Sequence, residues 1–190
     1  MDTPSTTTLF EDALICATRW HVRQHRKGTH VPYVAHLLAV ASLVLEDGGS
    51  APEAIAALLH DAVEDQGGAR RLAEIEHRFG QTVAEIVAGC TDSDQSPKPP
   101  WRPRKEAYLQ HLAVATPAIL RVALADKLHN ARAIIMDSRR VGPLIWKRFT
   151  ASRDEVLWYY QSLAHIFAGH RPGAMAEELA QCVHTMASLP

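Results

Sequence analysis

Apolar residues recur at helical spacing along almost the whole chain, and this periodicity restricts the fold more than any other feature. One such stripe, between residues 32 and 47, consists of Val34, Leu37, Leu38, Ala41, Val44 and Leu45. No segment shows the regular alternation of apolar and polar residues that is typical of a half-buried strand. The pattern therefore predicts an all-α protein with about 8–10 helices in a single bundle-like domain.

Proline, glycine and polar clusters divide the periodic segments from one another. The expected helices are residues 9–26, 32–47, 51–65, 70–79, 81–90, 103–115, 117–137, 143–149, 153–169 and 173–187. The Ser/Thr-rich start, residues 1–8, is expected to be flexible, and residues 9–190 are expected to form one domain. The proline-rich segment 91–105 is expected to be a loop.

Composition excludes several classes of function. The formal net charge is −1, which argues against a general nucleic-acid binder or a protein that binds membrane surfaces. No apolar run is long enough to span a bilayer, and no signal peptide is recognisable. Three widely spaced cysteines suit reduced thiols, so we expect a cytoplasmic protein. The sequence is compatible with a monomer or an oligomer.

The stretch LLHDAVEDQGG, residues 58–68, concentrates a histidine and three acids at the end of an expected helix. His60, Asp61, Glu64 and Asp65 lie opposite the apolar face of that helix. Acids are disfavoured at the carboxyl end of a helix, which already carries partial negative charge. The stretch is either a solvated acidic face or part of a site for a divalent cation, and its composition leaves both interpretations open.

Two further residues raise the same question. Asp126 lies in a helix, residues 121–135, whose surface is mostly apolar, and a buried carboxylate needs a partner or a metal. Asn130 follows one turn later on the same side. His36 lies in the apolar helix 32–47, where it is either a core histidine or a metal ligand. In isolation, each residue allows both interpretations.

Together these residues form the order H…HD…D. This order resembles the HD superfamily of metal-dependent phosphohydrolases, whose helical domains hold a divalent ion with two histidines and two aspartates. The segments VPYVAHLLAV, ALLHDAVEDQ and VALADKLHNARAI resemble the signatures of Rel/Spo-type alarmone hydrolases in their small single-domain form. That resemblance extends from about residue 9 to residue 135.

The resemblance implies a specific set of site residues. The implied metal ligands are His36, His60, Asp61 and Asp126. Glu64 and Asp65 would orient and activate the attacking water, Arg26 and Lys27 would hold the base, and Asn130 would contact the ribose. The implied cofactor is Mn²⁺, with other divalent metals left open, since imidazole and carboxylate ligands suit several of them.

The implied activity is hydrolysis of the 3′-pyrophosphate of (p)ppGpp, a small-molecule nucleotide, with release of pyrophosphate; (p)ppApp is a further candidate substrate. Ala133 stands where the family usually has a polar residue near the ribose, which favours a tolerant purine pocket. Two alternatives remain at this point. The chain could be an HD phosphohydrolase that acts on another nucleotide, or a nucleotide sensor that binds metal without catalysis.

Overall fold

The computed structural model describes residues 6–93 and 97–190, and within these ranges the protein is all-α. These described residues form ten α-helices and one 3₁₀-helix, and their β structure is limited to an isolated antiparallel bridge between His25 and Pro32. The helices are α1 (Thr6–Trp20), α2 (Val34–Glu46), α3 (Ala51–Leu59), α4 (Ala62–Gln66), α5 (Gly68–Phe79), α6 (Gln81–Cys90), α7 (Trp101–Leu112), α8 (Pro117–Val141), the 3₁₀-helix Gly142–Arg148, α9 (Arg153–His170) and α10 (Ala174–Ala187). The predicted fold class and number of helices are confirmed.

The chain divides into two compact units, Met1–Lys98 and Pro99–Pro190. In the first unit α3 is the central helix and packs against α1, α2 and α6, while α5 packs against α4 and α6. Every residue from Ala54 to Leu59 is buried, so α3 is apolar on all sides. Its alanines allow neighbouring helices to approach closely, which fixes the position of the residues that follow α3.

The first turn of α3 contains a buried acid, Glu53, with a structural role. The backbone N–H and the hydroxyl of Ser50 each donate to Glu53 Oε2 at 2.7 Å, completing a capping box. Such reciprocal bonds satisfy donors that a helix start otherwise leaves unsatisfied. The capping box therefore gives Glu53 a structural role at the start of α3.

The expected helix 51–65 is wrong as a single element. The structure ends α3 at Leu59, places His60 and Asp61 in a turn, and begins α4 at Ala62. Glu64 and Asp65 consequently lie in the first turn of α4, where the partial positive charge of a helix start favours acids. The expected acidic helix end is therefore an acidic helix start, which needs no cation, and only side-chain geometry supports a cation near Glu64 and Asp65.

The second unit is arranged around the long helix α8. Helix α8 packs against α10 and the 3₁₀-helix, and α9 packs against α7, α8 and α10. Large apolar side chains from three of these helices are fully buried: Leu124, Leu128, Leu163, Phe167, Leu179 and Met186. This core fixes the face of α8 that carries Asp126.

Several helix boundaries differ from the predictions. The first helix ends at Trp20, six residues earlier than expected, because a turn and the His25–Pro32 bridge follow it. Helix α7 already begins at Trp101, within the expected loop 91–105. Pro103 is tolerated there because the first turn of a helix does not use its N–H groups as internal donors. Residues 143–149 lie mostly in the 3₁₀-helix.

The expected flexible start overlaps only partly with the described residues. Thr6 to Thr8 already belong to α1, and residues 1–5 lie outside the described part. The domain bounds 1–8 and 9–190 stay a prediction. No helix in the described ranges combines the length and apolarity needed to span a membrane.

Candidate metal centre

Two buried histidines of the first unit lie close to Asp61, which is in the turn between α3 and α4. His36 lies in the first turn of α2, and His60 directly follows α3; their exposed fractions are 1% and 2%. The Nδ1 of His60 is 2.8 Å from the carbonyl oxygen of Ala57, so Nδ1 donates to that oxygen. This bond fixes the tautomer and leaves the lone pair of the neutral ring on Nε2.

The carboxylate of Asp61 is the point on which these groups converge. Its Oδ2 lies 3.0 Å from His60 Nε2 and 3.5 Å from His36 Nε2. The Tyr33 hydroxyl donates to the same oxygen at 2.6 Å. Two imidazole nitrogens and one carboxylate oxygen around one point form a donor set suited to Mn²⁺, Fe²⁺ or Zn²⁺. The chemistry of these residues therefore fits a divalent metal.

Glu64 lies in the neighbouring first turn of α4 and forms an ion pair. Lys98 Nζ donates to Glu64 Oε1 at 2.6 Å. Burial raises the pKa of Glu64, and the negative charge of Asp92 raises it further, while the bond from Lys98 lowers it. The raising effects are larger, so the pKa of Glu64 lies above the usual glutamate value. A raised pKa suits a carboxylate that accepts a proton from water near neutral pH.

Asp65 lies beside Glu64 at the rim of this cluster. The side-chain amide of Gln24 donates to Asp65 Oδ2 at 2.7 Å. Partial burial raises the pKa of Asp65, and the negative charge of Asp61 acts in the same direction. Asp61, Glu64 and Asp65 thus form a group of mutually repelling carboxylates, which a cation would stabilise.

The predicted base-binding residues lie in the loop between α1 and α2. The guanidinium carbon of Arg26 is 5.7 Å from the centre of the Tyr33 ring, and Lys27 is exposed. The backbone N–H of Arg26 donates to the carbonyl oxygen of Val31 at 2.9 Å, next to the His25–Pro32 bridge. These contacts place Arg26 beside Tyr33, whose hydroxyl donates to Asp61.

In the second unit, Asp126 is buried in α8 and has two donors on the same helix. Lys127 Nζ contacts Asp126 Oδ2 at 2.5 Å, and Asn130 Nδ2 donates to Asp126 Oδ1 at 2.5 Å. Burial acts to lower the pKa of Lys127. The charge of Asp126, the neighbouring Tyr159 and Tyr108 and the hydrogen bond to Asp126 together outweigh burial and hold that pKa well above the ordinary lysine value. The predicted ligand and the predicted ribose contact thus lie one helical turn apart.

Sequence reasoning missed three residues of the first unit that hold the acids in place: His21, Gln24 and Tyr33. The Tyr33 ring stacks on His21 at 5.2 Å between centroids, and His21 Nδ1 is 2.7 Å from Gln24 Oε1. His21 and Gln24 fall within the expected helix 9–26 and Tyr33 within the expected helix 32–47, but none of them belongs to an apolar stripe, so no pattern marked them. The only available signal was the density of polar side chains shortly before His36.

Comparison with known proteins agrees with this geometry. The model of the HD domain family matches residues 13–157. A guanosine-3′,5′-bis(diphosphate) 3′-pyrophosphohydrolase, MESH1 of Xenopus tropicalis, is 35% identical over 170 residues, covering 88% of this chain and 87% of that protein. MESH1 of Danio rerio is 32% identical over 185 residues and 95% of each chain.

A solved structure is similar over nearly the whole length. It is described in the words "A metazoan ortholog of SpoT hydrolyzes ppGpp and plays a role in starvation responses". The TM-score is 0.77 at 25% identity, covering 97% of this chain and 98% of that one. The family match spans well over half of the chain and includes the residues that converge on Asp61. The chain belongs to the HD domain family.

Proposed function

We propose that this protein is a metal-dependent hydrolase that removes the 3′-pyrophosphate from guanosine alarmones of the (p)ppGpp type. The observation that carries the proposal is the convergence of His36 and His60 on Asp61, in a chain 35% identical to a protein named for this activity. The substrate is thus a small nucleotide. We place the reaction in the cytoplasm, which agrees with an alarmone substrate.

The proposed metal ligands are His36, His60, Asp61 and Asp126. The first three are supported by their contacts in the first unit, and Asp126 by the order of residues that it shares with the family. A bound divalent cation, with Mn²⁺ as the proposed ion, would polarise a phosphoryl oxygen and lower the pKa of a water molecule. The tautomer of His60 supports this role, because its Nδ1 is already committed to Ala57.

Glu64 and Asp65 are the proposed acceptors of the water proton. Water attacks the phosphorus atom attached to the 3′-oxygen, and the bond between that phosphorus and the 3′-oxygen breaks. The products are pyrophosphate and a nucleoside that keeps its 5′-phosphates. The leaving 3′-oxygen takes up a proton from the solvent, which balances the water proton that the carboxylate accepts. The pKa of Glu64 is raised toward neutral pH, and this supports its use as a general base.

Substrate contacts complete the proposal. Arg26 and Lys27 would stack on the purine and donate to it, and Asn130 would bind the ribose. Stacking does not distinguish guanine from adenine, and Ala133 offers no polar contact. We therefore expect ppGpp and ppApp to be hydrolysed at rates within roughly 10–100-fold of each other, since one missing polar contact is worth about 1–3 kcal/mol.

The test is product analysis with purified protein, Mn²⁺ and the substrates ppGpp, pppGpp and ppApp. We expect inorganic pyrophosphate in equal amount to the 5′-phosphorylated nucleoside. The Glu64→Gln variant serves as control: it should keep its metal while turnover falls about 100-fold. Stepwise release of single phosphates would identify a phosphomonoesterase instead. Tight binding of metal and nucleotide without turnover would identify a sensor.

A further inference from the structure

We propose that Gln24 is a positioning residue that holds Asp65 and Tyr33 in one arrangement. It thereby links two carboxylates of the centre, Asp65 directly and Asp61 through Tyr33, to the loop between α1 and α2. This inference rests on the proposed function for its kinetic test. The hydrogen bonds of the Gln24 side chain go to Asp65, Gln66 and His21, so its effect would act through these neighbours.

The orientation of the Gln24 amide is fixed by three contacts. Its Oε1 accepts from Gln66 Nε2 at 2.7 Å and lies 2.7 Å from His21 Nδ1. Its Nε2 donates to Asp65 Oδ2 at 2.7 Å. A rotation of the amide by 180° would turn the oxygen toward the carboxylate and bring the amino group against the amino group of Gln66. The ionised Asp65 carboxylate can only accept, and it therefore favours the orientation with the Gln24 donor toward Asp65.

The backbone of Gln24 acts on the second acid. Its carbonyl oxygen accepts from the Tyr33 N–H at 2.9 Å, and its N–H donates to the carbonyl oxygen of His21 at 2.9 Å. The Tyr33 ring, stacked on His21, directs its hydroxyl to Asp61 at 2.6 Å. One residue thus supports Asp65 through its side chain and Asp61 through the main chain.

A rigid support is needed here because the acids repel one another. Asp65 lies at the rim of a cavity of about 410 Å³ that Trp20, Arg23, Gln24 and Gln66 also line, so space is available for other rotamers. Without the Gln24 donor, the Asp65 carboxylate could rotate into this space, away from Asp61. A displacement of about 1 Å in a catalytic group can reduce turnover about 100-fold.

The test uses Gln24→Leu, which removes the donor but keeps the volume close, and the matched control Gln81→Leu. Gln81 also donates to a carboxylate, Glu85 Oε1, at 2.7 Å, but on the exposed surface of α6. With ppGpp and Mn²⁺, we expect the kcat of Gln24→Leu to fall about 10–100-fold, with KM and metal content within about 3-fold of the parent protein. Gln81→Leu should behave like the parent protein in all three measurements.

A double-mutant cycle with Asp65→Asn tests whether Gln24 acts through Asp65. If it does, Gln24→Leu lowers kcat in the parent protein and has little further effect, within about 3-fold, in Asp65→Asn. If the double variant shows a fall in kcat equal to the product of the two single falls, the proposal is overturned. A loss of metal or a raised KM in Gln24→Leu without a fall in kcat would overturn it as well.

A measurement without turnover separates this proposal from the proposed function. In NMR spectra of the metal-free protein, Asp65→Ala should shift the side-chain amide resonances of Gln24 and leave those of Gln81 unchanged. Unshifted Gln24 resonances would overturn the positioning role, whatever the activity. If the parent protein does not hydrolyse ppGpp but the Gln24 resonances shift, the proposed function fails while the contact stands.

Discussion

The ion pair between Lys98 and Glu64 leads to a prediction about the pH dependence of turnover. The bond from Lys98 stabilises the ionised form of Glu64 and so lowers its pKa, against burial and Asp92, which raise it. Lys98→Met removes the ammonium group and keeps most of the stem. The pKa of Glu64 must then rise, and a general base with a raised pKa is protonated, and inactive, up to a higher pH.

The size of the shift follows from the exposure of the pair. The side chains of Lys98 and Glu64 are 41% and 23% exposed, so water screens their attraction. A partly exposed ion pair of this kind contributes about 1 kcal/mol. Since one pKa unit corresponds to about 1.36 kcal/mol, the acidic limb of the kcat profile should move up by about 0.7 pH units.

The assay is kcat for ppGpp at saturating substrate between pH 5 and pH 9, a range centred on neutral pH. Lys147→Met, which removes an exposed lysine of the second unit, is the control and should leave the limb in place. An unchanged limb in Lys98→Met, or one moved to lower pH, would show that Glu64 is not the group whose ionisation controls turnover.

Three further outcomes are expected. His60→Ala and Asp61→Ala should lose metal and activity together, because each removes a proposed ligand; full metal occupancy by elemental analysis would contradict the assignment. Tyr33→Phe removes the donor to Asp61 Oδ2 and should weaken Mn²⁺ binding about 10-fold in calorimetry, and an unchanged Kd would rule out this support. Asp126→Asn leaves the ammonium of Lys127, 15% exposed, without its counter-charge, at about 3 kcal/mol, so the Tm of the metal-free protein should fall by about 6–12 °C. Glu178→Gln, in the exposed pair with Arg132, should change the Tm by much less.

The helical fold could be predicted because apolar periodicity is a local property of the sequence. The segments around α2, α5 and α6 were predicted to within two residues at each end, since proline and glycine mark their ends. The break after Leu59 could not be predicted in this way. His60 and Asp61 have near-helical backbone angles, and the turn follows from packing around α3.

The candidate site was predictable to a different degree for its different parts. His36, His60 and Asp61 were found because the order of histidines and aspartates is characteristic and because a buried ionisable group needs an explanation. Gln24 and Tyr33 were missed because neither an amide nor a tyrosine marks a site by its residue type alone. Their roles depend on hydrogen bonds to Asp65 and Asp61, which lie far along the chain and come close only in the folded unit.

The shortness of α4 has a consequence for how metal would enter and leave the centre. Five residues are too few for a helix to be stable by itself, and Gly67, with a φ of +138°, separates α4 from α5. The backbone amides of α4 should therefore exchange with deuterium sooner than those of α3, which is enclosed on all sides. Local opening of α4 would carry Glu64 and Asp65 away from Asp61 while His60 stays anchored to α3. The lifetime of a bound ion would then be governed by the opening of this short segment, without global unfolding of the protein.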